Sequence, residues 1–262
     1  PAPNVPSGIE RMLYTPSGNA VTLAFAKQLL TQMRLGKDTA PDLLNICLDA
    51  PRRIAESYGP ESIEVEDMYY RLDEELAQFL NYLYAQIAPE EVVVVLTSDH
   101  GTSPSYDAGI VERDRFNAAQ FQLIVNSFLC AQHGPGEWVV DYEDNNLYLN
   151  HTLIYNKGLD LAAIQNEAAT FAMQFRGVSH ALSSTASDVY KRQMQNSFYP
   201  RRSGDVVVNL MPGCIEERPD VRSKSGSMYG YDTTVPLVLY GGGIPARRVG
   251  RSVDMTSVAP TL

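Results

Sequence analysis

Two hydrophobic patterns alternate along the first hundred residues and return near the end of the chain. The first is helical: Val21, Phe25, Leu29 and Leu30 predict a helix over 19–35, opened by Asn19 and stopped by Gly36. Tyr69, Leu72, Leu76, Phe79, Leu80 and Leu83 predict the longest helix, over 63–87, entered through Gly59-Pro60-Glu61-Ser62 and ended before Pro89. The second pattern is the short apolar run, unbroken at 92–96 and recurring as a buried-strand pattern at 43–48, 204–210 and 235–240. Such runs predict strands buried on both faces, as in a parallel sheet covered by helices. Helix–strand–helix–strand order therefore predicts an α/β protein with a mostly parallel sheet. The polar stretch 49–58 reads as an irregular loop at a strand end, where functional residues gather.

The middle of the chain differs. A helix over 115–132, a hairpin of 138–142 and 146–150 around Glu143-Asp144-Asn145, a helix over 160–175 and a strand over 178–182 predict a small inserted α/β unit. The expected organisation is a core of 1–103 and 204–262 with a cap-like insertion of 104–203. Residues 1–18 read as a loop or linker, and a final helix begins near Val253. Gly241-Gly242-Gly243 leaves a strand towards Pro245 with no Gly-Lys-Ser/Thr following, so it reads as a tight turn and not a phosphate cradle.

Composition narrows the partners. The hydrophobic share of 44% over 262 residues is enough for a sizeable core. No apolar run approaches the roughly 20 residues of a membrane span. A net charge of −10 argues against nucleic acid or an anionic membrane, both of which reward clustered Lys and Arg. The opening Pro1-Ala2-Pro3, without a methionine, reads as the interior of a longer chain. Cys47 and Cys130 lie in apolar runs and are expected as buried thiols, with Cys214 forming no CxxC pair. His133, His151 and His180 lack metal spacing and are expected as surface or core residues.

The candidate chemistry sits where the 92–96 run stops, at Ser98-Asp99-His100-Gly101. Ligands collect at the carboxyl ends of strands in open α/β sheets, and an aspartate with a histidine there can ligate one metal ion. Alone, such a pair reads more readily as a strand cap.

Its companions change that. Gly204-Asp205-Val206-Val207-Val208, Tyr231-Asp232-Thr233-Thr234-Val235-Pro236-Leu237, Val253-Asp254 with Ala259-Pro260-Thr261-Leu262, and Tyr58-Gly59-Pro60-Glu61-Ser62-Ile63-Glu64 accompany it in order. Together they resemble the alkaline phosphatase superfamily, in the branch of type I phosphodiesterases and nucleotide pyrophosphatases, nearest the bacterial phosphate-irrepressible alkaline phosphatases. The resemblance implies a three-layer αβα sandwich of which this chain is the carboxy-terminal part. It also implies two-zinc hydrolysis of phosphate esters by a Thr or Ser nucleophile, and a periplasmic or secreted location. Asp99 and His100 match two ligands of one zinc; the nucleophile and the remaining ligands fall outside the chain.

The second zinc site departs from the pattern. Alignment on Tyr58-Gly59-Pro60 puts Arg52 and Glu56 at an aspartate and a histidine ligand, and Thr234 at another histidine. A guanidinium repels a metal and a threonine hydroxyl is a poor zinc ligand, so this site is expected to be lost. Asp49, one helical turn early, is the possible substitute. The resemblance therefore leaves two readings: part of a working phosphate-ester hydrolase with at most one zinc, or a catalytically dead relative that binds phosphate or another anion, with Arg52 in the vacated position. The heptapeptide Ser187-Asp188-Val189-Tyr190-Lys191-Arg192-Gln193 resembles translated sequencing-adapter sequence as readily as a genuine turn of helix, and carries no functional weight.

Overall fold

The computed structural model describes residues 8–105, 115–185, 199, 202–218 and 220–261; the heptapeptide 187–193 lies outside them. Three helices form one layer: α1 (Ser17–Gln32), α2 (Ala50–Tyr58) and α3 (Ile63–Tyr84). Helix α3 starts where Ser62 accepts a hydrogen bond from Val65 N–H at 3.3 Å, with Glu64 and Glu66 in the first turn facing the positive helix end. It buries Val65, Met68, Leu72, Phe79 and Leu83, one stripe at helical spacing. The upper half of that stripe packs on Ala50, Ile54 and Ala55 of α2, and the lower half on Leu23, Ala26 and Leu30 of α1.

Several expectations are corrected here. In α1 the buried face is Leu23, Ala26 and Leu30, while Val21 and Phe25 stay exposed. Apolar residues lie on more than one side of this helix, so periodicity alone could not choose the side that meets α3. Tyr69 of α3 is likewise exposed. The polar stretch 49–58 is helix and not loop: Arg52 and Arg53 pair with Asp49, and Arg52 with Glu56, at spacings of three and four that support a helix. Segment 43–48 is extended but belongs to no ladder among the described residues. Leu44, Ile46 and Leu48 pack inward on the helices while Leu43 and Cys47 face out, so Cys47 is not a buried thiol.

Strand β1 (Val93–Thr97) pairs antiparallel with β8 (Leu237–Gly241), from Val93 opposite Gly241 to Thr97 opposite Leu237. Gly241 and Gly242 then turn the chain with φ of 88° and 53°, and a Cβ on Gly241 would lie 2.2 Å from the Val92 carbonyl oxygen. The final helix is reduced to a 3₁₀ turn, Met255–Ser257, and one helical turn, Val258–Thr261.

The middle of the chain forms a second layered unit. Asn117 caps α4 (Ala118–His133) by accepting from Gln120 N–H at 2.8 Å. The hairpin β3 (Val139–Glu143) and β4 (Asn146–Leu149) turns at Asp144 and Asn145, with φ of 46° and 65°, the pair of positive values a tight two-residue hairpin loop uses. With β5 (Val178–Ser183) and β6 (Val206–Leu210) they form an antiparallel sheet ordered β3-β4-β6-β5. Helices α4, α5 (His151–Asn156) and α6 (Leu161–Ala172) complete the unit, with α4 against β3 and α6 against β5. Trp138, Phe121, Leu129, Leu147 and Val206 are wholly buried between these layers. Phe121 stacks edge-on against Tyr142 and Phe175 at 5.2 and 5.1 Å.

The apolar run of β6 completes the antiparallel sheet it shares with β3, β4 and β5. Among the described residues the parallel pair is β2 (Arg115–Phe116) with β7 (Ile215–Glu216), and the other ladders are antiparallel. Segment 43–48 packs on the helices and not beside β1.

Histidines of the inserted unit are held in structural bonds: His133 to Glu167 at 2.6 Å, His151 to Asp205 at 2.7 Å and His180 to Ser179 at 3.2 Å. Cys130 is half-buried, its Sγ 3.1 Å from the Gly136 carbonyl. Phe121→Ala is expected to cost about 3–5 kcal/mol through the cavity it leaves, read as a lowered midpoint in urea unfolding followed by Trp138 fluorescence.

Candidate metal centre

Strand β1 ends at Thr97, and the next four residues form a tight loop built by their own side chains. Ser98 Oγ donates to the His100 carbonyl at 2.7 Å, and His100 N–H donates to Asp99 Oδ1 at 3.1 Å. His100 Nδ1 lies 2.7 Å from the Gly101 carbonyl. A carbonyl can only accept, so Nδ1 carries the proton and Nε2 keeps its lone pair. Nε2 stands 3.7 Å from Asp99 Oδ1, and the Asp99 side chain is 87% exposed. Two donors each about 2.0–2.2 Å from one zinc stand roughly 3–4 Å apart, so this pair has the chemistry and spacing of half a zinc shell. Among the described residues no group of three or more His, Cys, Asp and Glu side chains converges on a common point.

Gly101 holds the loop against the segment that carries Thr234. Its N–H donates to the Asp232 carbonyl at 2.7 Å, and a Cβ there would lie 2.1 Å from the Tyr231 carbonyl oxygen. Residues Gly230–Thr233 make one helical turn, closed by Thr234 N–H donating to the Gly230 carbonyl at 3.0 Å. Thr234 is exposed, whereas Asp232 is buried, accepting from Ser227 N–H with one oxygen and leaving Oδ1 without a partner.

A third segment ties both to α2. Ser223 is wholly buried; its hydroxyl donates to the Ala55 carbonyl at 2.8 Å and accepts from Thr102 Oγ1 at 3.1 Å. Arg222 N–H donates to the Glu56 carbonyl at 2.7 Å, and Ser103 and Lys224 exchange two bonds of 3.1 Å. Lys224 continues into the inserted unit, its Nζ 2.6 Å from Asp144 in the hairpin turn and 3.2 Å from the buried carboxylate of Glu216. The segments bearing Asp99 and His100, Arg52 and Glu56, and Thr234 are thus knitted together through residues 222–232. Sequence reasoning missed Ser103 and Ser223, because a serine in a Ser- and Gly-rich run carries no sign of burial. Asp232 lay inside a quoted motif but was passed over for Thr234.

At the altered site, Arg52 sits between two carboxylates. Its Nε is 2.9 Å from Asp49 Oδ1 and its Nη1 3.3 Å from Glu56. Partial burial opposes charge on Asp49, but hydrogen bonds from Arg52 and Arg53 outweigh it and hold the carboxyl below its ordinary range. Asp49 is thereby committed to two arginines instead of standing free as a substitute ligand. A paired guanidinium, its glutamate partner and an exposed threonine are a donor set that does not suit zinc.

The α/β scaffold thus carries a carboxylate–imidazole pair just beyond a strand end. Residues 10–225 match the family described as Type I phosphodiesterase / nucleotide pyrophosphatase, and the chain belongs to that family. It is 27% identical to the alkaline phosphatase PafA of Elizabethkingia meningoseptica over 262 residues, 95% of this chain and 47% of that protein. Identity is also 27% to the alkaline phosphatase PhoV of Synechococcus elongatus, over 96% of this chain and 46% of the relative. The crystal structure of wild-type PafA superposes with a TM-score of 0.84 at 26% identity, over 96% of this chain and 49% of that one. The fold is therefore the alkaline phosphatase α/β fold. The chain spans about half the length of the curated relatives it matches.

Two outcomes test this geometry. Gly101→Ala, forced against the Tyr231 carbonyl, is expected to cost about 1–3 kcal/mol in chemical denaturation, because the obstacle is backbone. Asp49 has a depressed carboxyl, so its ion pairs stabilise the fold above the ordinary carboxylate value, about 3.9, and lose that effect as pH falls through the folded value. Between pH 6 and pH 3 the wild-type melting temperature should fall more than that of Asp49→Asn.

Proposed function

We propose that this chain supplies Asp99 and His100 as half of one zinc shell in a metal-dependent phosphate-ester hydrolase of the alkaline phosphatase and phosphodiesterase type. The observation that carries this reading is the free Nε2 of His100 held 3.7 Å from Asp99 Oδ1, with its other nitrogen fixed by the Gly101 carbonyl. That secondary bond sets the tautomer a zinc-binding imidazole requires. Zinc, when bound, supplies a Lewis acid for phosphoryl oxygens. The chain's own residues orient the donors: Ser98 and Gly101 set the loop, and the Asp232 carbonyl anchors it to the neighbouring turn. The remaining ligands and the nucleophile come from the part of the fold that the longer relatives have beyond this match. The second zinc position, rewritten as Arg52, Glu56 and Thr234, holds no metal in this reading.

The other reading, a catalytically dead relative that binds phosphate at Arg52, is motivated by those same three residues. Its difficulty is that Asp49 and Glu56 already engage Arg52, and an anion would have to displace at least one of them. A periplasmic or secreted location belongs to the same proposal, by analogy with the family; among the described residues no helix is long and apolar enough to cross a membrane.

The test is the full-length protein assayed for bound zinc by elemental analysis and for turnover of an aryl phosphate. His100→Ala should lower both by more than about tenfold. Unchanged metal content and turnover in His100→Ala would rule the zinc reading out. Saturable phosphate binding by calorimetry, abolished in Arg52→Ala and unaccompanied by turnover, would support the anion-binding relative.

A further inference from the structure

Strand β6 carries one polar side chain among apolar neighbours. Asn209 is 3% exposed, in the run Val206-Val207-Val208-Asn209-Leu210. A buried amide costs free energy unless its donors and its acceptor are met, so the partners it has define its role. Opposite it the β5–β6 register shifts between Val178 and His180, which leaves Ser179 as the extra residue of a bulge. Asn209 Nδ2 donates to Ser179 Oγ at 2.8 Å, and Ser179 Oγ donates to the Asn209 carbonyl at 2.9 Å. The remaining bonds reach out of the sheet. Asn209 Nδ2 also donates to Tyr229 Oη at 3.2 Å, and Asn209 Oδ1 accepts from Met228 N–H at 3.2 Å. Tyr229 Oη donates in turn to the Leu210 carbonyl at 3.0 Å. One amide and one phenol thus fasten residues 228–229 to β5 and β6.

From Tyr229 a series of short bonds runs to the candidate donor. The Tyr229 carbonyl accepts from Asp232 N–H at 2.9 Å, and the Asp232 carbonyl accepts from Gly101 N–H at 2.7 Å. The Gly101 carbonyl then accepts from His100 Nδ1 at 2.7 Å. Tyr231, its ring centroid 5.6 Å from that of Tyr229, adds a second tie, its hydroxyl accepting from Gly213 N–H at 3.3 Å. We infer that Asn209 and Tyr229 are positioning residues for His100. They hold the turn that fixes the Gly101 peptide, and through that peptide the tautomer that leaves Nε2 with its lone pair. Neither touches the metal or the substrate. The consequence for metal binding rests on the zinc reading of Asp99 and His100, whereas the tautomer is a property of the metal-free protein.

The test uses the full-length protein with isotope-labelled histidine, free of metal and at a pH where imidazole is neutral. His100 signals are assigned by their loss in His100→Gln. Ring-nitrogen shifts should show the Nδ1–H form dominant in the wild type and a mixture of tautomers in Tyr229→Phe and Asn209→Ala. Zinc affinity, measured by competition with a chelating dye, should fall about tenfold or more in each, with no further loss in the double variant, because the two act through one anchor. Ile164→Val, a buried change in α6 that lowers stability without touching this anchor, should alter neither reading. A wild-type His100 without a dominant Nδ1–H form would overturn the inference. So would a tautomer unchanged in Tyr229→Phe, or changed as much in Ile164→Val. If Asn209→Ala does not fold, Tyr229→Phe decides alone. A tautomer change confined to the anchor variants, in a protein that binds no zinc at all, would sustain the positioning role and remove the zinc reading instead.

Discussion

The arrangement around the candidate site hangs on one buried hydroxyl. Ser223 links the carbonyl of Ala55 in α2 to Thr102 in the loop after β1, and its neighbours Arg222 and Lys224 bond the same two segments through the backbone. The Glu61 carboxylate adds a second tie between the two, accepting from Ser105 N–H at 3.2 Å. Buried polar atoms that are fully partnered hold a single geometry, since any displacement leaves a donor or acceptor unsatisfied in a low-dielectric interior. Lys224 extends this linkage to Asp144 and Glu216, so the hairpin of the inserted unit and the loop after β1 share one anchor.

Against that rigid frame the electrostatics divide the site in two. At the end of β1 an exposed carboxylate and a half-buried imidazole stand 3.7 Å apart, with Asp99 Oδ1 also accepting from His100 N–H. In the first turns of α2 the positive charge is already in place, supplied by Arg52 and Arg53 and balanced by Asp49 and Glu56. The same contacts, at spacings of three and four, stabilise the short helix α2.

Several elements were legible before any coordinates. The long helix α3 announced itself by its apolar stripe and Ser62 cap, and the hairpin by its acidic turn between alternating segments. Helix α2 was hidden because its stabilising pattern is ionic, with few apolar positions to show periodicity. The exposed face of α1 was misread because apolar residues occupy both sides of it, and only contact with α3 selects Leu23, Ala26 and Leu30.

What the sequence by itself determined was the longer helices, the hairpin and the adjacency of Asp99 and His100 beyond a strand end. Each of these depends on residues close together along the chain: caps, turns, periodicity and a short motif. Which strands pair, which sheet Val206–Leu210 joins and how three separated segments meet at Ser223 were decided by tertiary structure. Those outcomes depend on contacts between residues tens to more than a hundred positions apart, for which a local pattern holds no information. The Asp99-His100 pair was readable as chemistry, while the partial cover of the strand that presents it emerged only when the chain was folded.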